Sequence, residues 1–239
     1  MNLDVLFLPA ELAARQRPQR VAAVVDVIRA TTTIVTAFEH GCGSIRPVAG
    51  VDEARQARAV SPAAILAGEQ GGKRLPGFDM GNSPREFMAG RAAGRDVILN
   101  TSNGTKALRA IGAGRRVAIA AFLNRTAVAD WLVRQATDAL ILCSGYEGIF
   151  SLEDAVCAGG VADRAAAQDP ALVLGDGALA CRLLWGRYRS DLPGLLPNTG
   201  WGKHIVAIGL GADLEICARL DVTDAVPVMA DGLIRLESR

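Results

Sequence analysis

The sequence predicts a layered α/β/α fold, with helices on both faces of a largely parallel or mixed sheet. Short runs rich in Val, Ile and Leu alternate along the chain with segments of helical periodicity, and this alternation is typical of α/β proteins. Near the C-terminus, Asp231 and Gly232 separate two apolar runs, a pattern that favours a C-terminal β-hairpin. A hairpin adds antiparallel pairs, so the sheet is expected to be mixed.

Seven short apolar runs predict strands. They lie at residues 3–8, 21–27, 45–48, 63–67, 96–101, 117–121 and 138–143. Helices are predicted between and after these strands, where apolar residues recur at helical spacing. They lie at residues 32–40, 53–60, 84–91, 105–111, 126–136, 152–168, 177–189 and 202–210. Residues 68–82 contain five glycines and no periodicity, which predicts a long functional loop.

The composition limits the class of protein. The chain has 239 residues, half of them hydrophobic, and its 26 basic and 25 acidic residues give a net charge of +1. These values exclude general disorder and predict one domain over residues 1–239. The turn-like string Gly112-Ala113-Gly114 offers an alternative, two lobes that divide near residue 114. A near-neutral chain gives no support to nucleic acid or an anionic membrane as a partner. No apolar run reaches the roughly 18 residues that span a bilayer.

The cysteines and the first residues indicate the cytoplasm. The five cysteines are scattered, odd in number and form no CxxC pair, which argues against a disulfide framework or a zinc site. The N-terminus lacks a basic start and carries Asp4 within an apolar stretch, so it predicts a strand rather than a signal peptide. The sequence leaves the oligomeric state open, and a homo-oligomer is compatible with it.

Polar side chains follow most of the predicted strands. Asp26 lies at the end of the second strand and Arg29 follows it, while Glu69 follows the fourth strand, Asn103 the fifth and Glu153 the last. In open α/β sheets, ligands bind outside the carboxyl ends of the strands. We therefore expect these five side chains to meet at one edge of the sheet and to form the catalytic group.

These strand ends suit phosphoryl chemistry. Backbone N–H groups near residues 31–33 and 103–105 begin predicted helices, where phosphate binds readily. A purely structural interpretation also exists, since Ser83 begins a capping box. Carboxylates are ligands that Mg²⁺ prefers, and Mg²⁺ binds one or two of them together with substrate phosphate. The candidate metal ligands are Asp26, Glu69, Asp79, Glu153 and Asp154.

Six strings together resemble the 2-phosphosulfolactate phosphatase family, over residues from about 4 to about 235. They are DVIRATTT (26–33), GEQGG…GFDMGNSPREF (68–87), TSNGTKAL (101–108), FLN (122–124), GIFSLEDAVCAG (148–159) and GADLEICARLDVTDAVPV (211–228). The resemblance implies a Mg²⁺-dependent phosphatase that hydrolyses 2-phosphosulfolactate to sulfolactate and phosphate, a step towards coenzyme M. It places the acids, Arg29 and Asn103 in the active site. The expected substrate-binding and phosphate-binding residues are Thr31, Thr32, Thr33, Asn82, Ser83, Gly104, Thr105 and Asn124.

Three departures from the family pattern and three open questions accompany this resemblance. Ser102 stands where the family often has Thr, which removes only a methyl group. Tyr146 is bulky beside the expected pocket, and residues 198–201 read Asn-Thr-Gly-Trp where a Ser and a His or Gly-rich turn is expected. Asp26 is either a nucleophile or a metal ligand. The substrate is 2-phosphosulfolactate or another small phosphorylated hydroxy-acid. The third alternative for the function, beside these two phosphatases, is a non-enzymatic module that binds an anionic metabolite.

Overall fold

A computed structural model describes residues 1–14, 19–111 and 114–237. In this part of the chain, eleven strands form one mixed sheet. The strands are β1 (Asn2–Leu6), β2 (Val21–Val25), β3 (Ser44–Pro47), β4 (Ile65–Gln70), β5 (Lys73–Arg74), β6 (Asp96–Asn100), β7 (Arg116–Ala120), β8 (Ala139–Cys143), β9 (Val173–Leu174), β10 (Pro227–Ala230) and β11 (Leu233–Leu236). All seven predicted strands are present, with ends that differ by a few residues.

Helices connect most of the strands. The α-helices are α1 (Ala30–Glu39), α2 (Val51–Val60), α3 (Pro84–Met88), α4 (Gly104–Ala110), α5 (Arg125–Arg134), α6 (Leu152–Gln168), α7 (Asp176–Tyr188), α8 (Leu192–Leu195), α9 (Gly200–Ala207) and α10 (Ala212–Cys217). Short 3-10 helices cover Pro9–Ala14, Phe122–Asn124 and Leu196–Asn198. Each of the eight predicted helices is confirmed, whereas α8 and α10 were not expected because they are too short to show periodicity.

The sheet consists of two parallel halves joined by the C-terminal hairpin. Its strand order is β5-β4-β6-β3-β11-β10-β7-β2-β8-β1-β9. Strands β4, β6 and β3 are parallel to one another, and so are β7, β2, β8, β1 and β9. The hairpin of β10 and β11 pairs antiparallel with β7 on one side and with β3 on the other. The predicted hairpin is therefore confirmed, and it lies in the middle of the sheet.

Strand β2 is buried on both faces and separates two apolar layers. Val21, Ala23 and Val25 pack into the layer that contains residues of α5, α6 and α7. Ala22 and Val24 pack into the opposite layer, against residues of α1 and α4. The sequence of a strand covered on both faces is a continuous apolar run. This is why β2 could be predicted from the sequence.

The prediction of a long loop over residues 68–82 was wrong for its first half. Strand β4 continues through Glu69 to Gln70 and pairs antiparallel with β5. Gly71 and Gly72 form the turn between them, with φ of +56° and +84°, a conformation that glycine adopts at little cost. The glycines therefore make a tight hairpin. The alternative of two lobes depends on a division near residue 114. Residues 112 and 113, which are part of that turn, lie outside the described residues.

Within the described ranges, none of the helices combines the length and the apolar character required to cross a bilayer.

The close packing of α6 against α7 depends on glycine. A β-carbon at position 159 would lie 1.9 Å from the carbonyl oxygen of Cys181, whereas one at position 186 would meet nothing within 4 Å. We expect Gly159→Ala to lower the free energy of unfolding by at least about 1–3 kcal/mol, since overpacking forces the helices apart. Gly186→Ala, on the exposed face of α7, is expected to raise it by about 0.5–1 kcal/mol. Urea unfolding of both variants measures this, and equal stability of Gly159→Ala and the unmodified chain would contradict the packing.

Candidate active site

One small pocket brings together residues from both halves of the sheet. Asp26 follows β2, Glu69 lies in β4, and Asn103 follows β6. The pocket is narrow and is lined by Asp26, Ile28, Arg29, Glu69, Asn82, Asn103 and Trp201. The expectation that distant strand ends meet is therefore confirmed for Asp26, Arg29, Glu69 and Asn103.

Asp26 is buried at the point where β2 gives way to α1. Its Oδ1 accepts a hydrogen bond from the Ala30 N–H at 3.2 Å, and its backbone oxygen accepts one from the Thr31 hydroxyl at 2.8 Å. Burial raises the pKa of Asp26 to about 7; the Ala30 bond opposes this rise, and the Glu69 and Glu153 carboxylates add to it. A proton or a cation at this carboxylate would relieve the cost of its burial.

Two further buried acids, Asp154 and Glu153, lie close to Asp26 but outside the pocket lining. The Asp154 carboxylate accepts from the Val27 N–H at 2.8 Å and from the Ser144 hydroxyl at 3.1 Å, so it fixes the loop that carries Asp26. Burial raises the pKa of Asp154 well above its ordinary value, and the Asp26 and Glu153 carboxylates raise it further. Burial also raises the pKa of Glu153. The structure thus places Glu153 and Asp154 near the pocket but not in its wall.

Glu69 ties two loops together. Its Oε1 accepts from the Ser102 N–H at 2.6 Å, and its Oε2 accepts from the Gly72 N–H at 2.7 Å. These bonds hold the β4–β5 turn against the loop that follows β6. The same loop passes so close to Asp26 that a β-carbon at Gly104 would lie 2.7 Å from Asp26 Oδ2, which explains why glycine occupies this position.

Arg29 makes a buried ion pair that the sequence did not predict. Its Nη1 lies 2.6 Å from Asp213 Oδ2, and its Nη2 donates to the Gly72 carbonyl oxygen at 2.5 Å. Asp213 also accepts from the Ser83 hydroxyl at 2.6 Å. Ser83 therefore contacts the ion pair and does not line the pocket. The only sequence signal for Asp213 is its position within the GADLEICARLD string.

Asn82 carries an acceptor without a partner. Its Oδ1 is buried, and it has no hydrogen-bond partner among the described residues. A buried unsatisfied acceptor costs about 1–3 kcal/mol. Because Asn82 lines the pocket, a bound donor or cation is the simplest way to offset this cost.

Trp201 forms one wall of the pocket and packs against two other aromatic rings. Trp201 stacks on His204 with ring centroids 4.5 Å apart, and Tyr146 packs on Trp201 at 4.8 Å. His204 Nε2 lies 3.1 Å from the Gly71 carbonyl oxygen, so this wall also contacts the β4–β5 turn. Trp201 was missed as a lining residue, although the unusual turn at residues 198–201 was noted. Tyr146 contacts Trp201 and does not itself line the pocket.

The hydroxyl groups of the threonines that are expected to bind phosphate are engaged by the protein backbone. The hydroxyl groups of Thr31, Thr32, Thr33 and Thr105 donate to backbone carbonyl oxygens at 2.8–3.2 Å. None of these four residues lines the pocket. Their side chains fix the loops that carry the site, and phosphate binding by the backbone N–H groups of these loops stays a prediction.

Asn124 and Asp79 also lie outside the pocket. The Asn124 side chain accepts from the Ala121 N–H and donates to the Ala225 carbonyl oxygen, both at 2.9 Å, so it caps a turn. The Asp79 carboxylate pairs with Arg58 at 2.7 Å. Among the residues that the structure describes, no three His, Cys, Asp or Glu side chains are grouped so that they could hold a metal ion. The five candidate metal ligands therefore do not form one cluster, and which of them hold a metal ion stays a prediction.

The comparisons with known proteins agree on one family. The family model described as 2-phosphosulpholactate phosphatase matches residues 6–232. A protein of Symbiobacterium thermophilum named "Probable 2-phosphosulfolactate phosphatase" is 38% identical over 225 residues, which are 93% of this chain and 97% of that protein. Proteins with the same name from Prochlorococcus marinus (strain MIT 9303) and Carboxydothermus hydrogenoformans are 37% and 36% identical. These two alignments cover 95% and 100% of this chain, and 96% and 98% of the respective relatives.

The raised pKa of Asp26 predicts a specific pH dependence of stability. The unfolded carboxyl group titrates near 3.8 and the folded one near 7, so the folded state binds the proton more tightly. Stability therefore falls as pH rises through this window. Without divalent cations, Asp26→Asn is expected to be more stable than the unmodified chain by roughly 1–3 kcal/mol at pH 8. The difference should be smaller at pH 5, where Asp26 is protonated.

Urea unfolding at the two pH values measures this difference. Asp163→Asn is the matched control, because it alters a carboxylate of a surface ion pair with Arg182 and should change stability by less than about 0.5 kcal/mol. If Asp26→Asn is less stable than the unmodified chain at pH 8, burial of the charged Asp26 carboxylate does not lower the free energy of unfolding, and the prediction is wrong.

Proposed function

Since the chain belongs to the 2-phosphosulpholactate phosphatase family, we propose that it hydrolyses 2-phosphosulfolactate to sulfolactate and inorganic phosphate. The observation that carries this proposal is the composition of the pocket wall. Two carboxylates, Asp26 and Glu69, line the same small cavity as the guanidinium of Arg29 and the amides of Asn82 and Asn103. Carboxylates repel an anionic substrate unless a cation intervenes, and the amides and guanidinium supply donors for its oxygens.

We propose Mg²⁺ as that cation, with Asp26 and Glu69 as the residues that would hold it. Two carboxylates match the usual coordination of Mg²⁺, which binds one or two protein carboxylates and completes its coordination shell with water and substrate phosphate. The raised pKa of Asp26, caused first by burial, also fits a carboxylate whose charge a cation would stabilise. The chemistry that Mg²⁺ supplies when bound is neutralisation of negative charge on the phosphate.

The chain's own residues would bind and orient the substrate. Arg29 would bind an anionic group of the substrate, and the Asn82 Oδ1 would accept from a bound donor or contact the cation. Trp201 and Ile28 exclude water from one side. Water then attacks phosphorus as the bond from phosphorus to the ester oxygen breaks. One proton of the water ends on the released alkoxide, so the products are an alcohol and phosphate.

The setting of the reaction follows from the same resemblance. We propose that it contributes to coenzyme M biosynthesis in the cytoplasm. All five cysteines are free and buried in the structure, as is usual for a reducing compartment.

Phosphate release tests this function directly. We expect release from 2-phosphosulfolactate in the presence of Mg²⁺ and its loss in excess EDTA. Asp26→Asn should lower kcat/KM by about 10²–10³-fold, as expected when a group that stabilises the transition state is removed. Asp163→Asn, a surface control, should retain full activity. Full activity in EDTA would overturn the metal assignment.

A substrate panel separates the alternatives. Phosphate esters of other small 2-hydroxy-acids are assayed beside 2-phosphosulfolactate under the same conditions. Faster hydrolysis of another ester would reassign the substrate while keeping the reaction. Saturable binding of every ester without phosphate release would favour a binding module.

A further inference from the structure

Arg29 is held in one orientation by two contacts from distant parts of the chain. Its Nη1 lies 2.6 Å from Asp213 Oδ2, and its Nη2 donates to the Gly72 carbonyl oxygen at 2.5 Å. The side chains of Arg29 and Asp213 are each only 2% exposed. Because both terminal nitrogens are engaged, the plane of the guanidinium is fixed.

Asp213 is itself fixed by a second donor. Its Oδ1 accepts from the Ser83 hydroxyl at 2.6 Å, so each carboxylate oxygen has one short partner. Asp213 lies on α10 and does not line the pocket, whereas Arg29 does. The carboxylate therefore contacts the guanidinium from outside the space that a ligand would occupy.

This arrangement leaves Arg29 able to bind a ligand. A guanidinium has five N–H donors, and the two contacts above engage one on each terminal nitrogen. Burial of a guanidinium is costly unless an opposite charge accompanies it, and Asp213 supplies that charge. Bidentate binding of a carboxylate or phosphate requires a fixed planar fork.

We propose that Asp213 is a positioning residue, which sets the guanidinium of Arg29 for an anionic group of the phosphorylated acid. This inference rests on the proposed function, because it assumes that the pocket binds such an acid. It assigns Asp213 no contact with the substrate. Ser83 supports Asp213 in the same chain of contacts.

A double-mutant cycle between Arg29 and Asp213 tests the proposal. Asp213→Asn should raise KM for 2-phosphosulfolactate by about 10–100-fold with kcat less affected, since small misplacements of a binding group have effects of this size. In an Arg29→Lys background, the same change should alter KM by less than about threefold, because the positioned group is already lost. Independent effects that multiply in the double variant would overturn the proposal.

Two further variants control for folding. Asp130→Asn removes a carboxylate that pairs with Arg164 on the surface and should leave KM, kcat and the thermal midpoint unchanged. If Asp213→Asn does not fold, Ser83→Ala is used in its place, since it removes one bond to Asp213 and keeps both charges. We expect it to raise KM several-fold in the unmodified background and not in Arg29→Lys. An unchanged KM in both backgrounds would refute the role of Asp213.

The same proteins distinguish failure of this inference from failure of the proposed function. Normal turnover by the unmodified chain with equal KM in Asp213→Asn overturns the positioning role and leaves the function intact. If the unmodified chain hydrolyses none of the esters, the proposed function fails. In that case the positioning role of Asp213 is tested by binding alone. Titration calorimetry measures the affinity for inorganic phosphate of the unmodified chain, the two single variants and the double variant. Weaker binding in Asp213→Asn that disappears in the Arg29→Lys background supports the role, and any other result, including no binding by the unmodified chain, overturns it.

Discussion

Burial of several carboxylates around the end of β2 is the constraint on which the site depends. Asp26, Glu69, Glu153 and Asp154 are all buried, and a buried charge is costly unless it is paired, hydrogen-bonded or bound to a metal. The chain meets part of this cost with backbone and hydroxyl donors, which also connect the surrounding loops to one another. Arg29 does not meet the rest, because Asp213 already pairs with it. A cation that also binds the substrate anion would offset the remaining cost of burying these carboxylates.

The sheet makes this concentration of acids possible. Its two parallel halves are separated by the C-terminal hairpin, yet the end of β4 and the loops that follow β2 and β6 line one pocket. The β4–β5 turn is central to this arrangement, since Gly72 contacts both Glu69 and Arg29. Helix α9 covers the same turn and supplies Trp201. The fold therefore builds the pocket from segments that are far apart in sequence.

Much of the fold and most of the pocket lining could be predicted from the sequence, with Ile28 and Trp201 as the exceptions. Apolar runs and helical spacing located most elements, and the rule that polar residues after strands form sites identified Asp26, Glu69 and Asn103. The rule also selected Thr31, because a hydroxyl after a strand looks the same whether it binds a ligand or its own backbone. Asp213 could not be found in this way, since its role depends on a contact 184 positions away. That contact exists only in the folded chain.

A crystal structure with Mg²⁺ and a tetrahedral phosphate mimic tests the central claim most directly. The account predicts that the cation lies against the carboxylates of Asp26 and Glu69, with the anion between it and the guanidinium of Arg29. Occupation of the pocket by these two ions would also give the Asn82 Oδ1 a partner. Ions bound elsewhere, with the pocket filled only by water, would contradict the account.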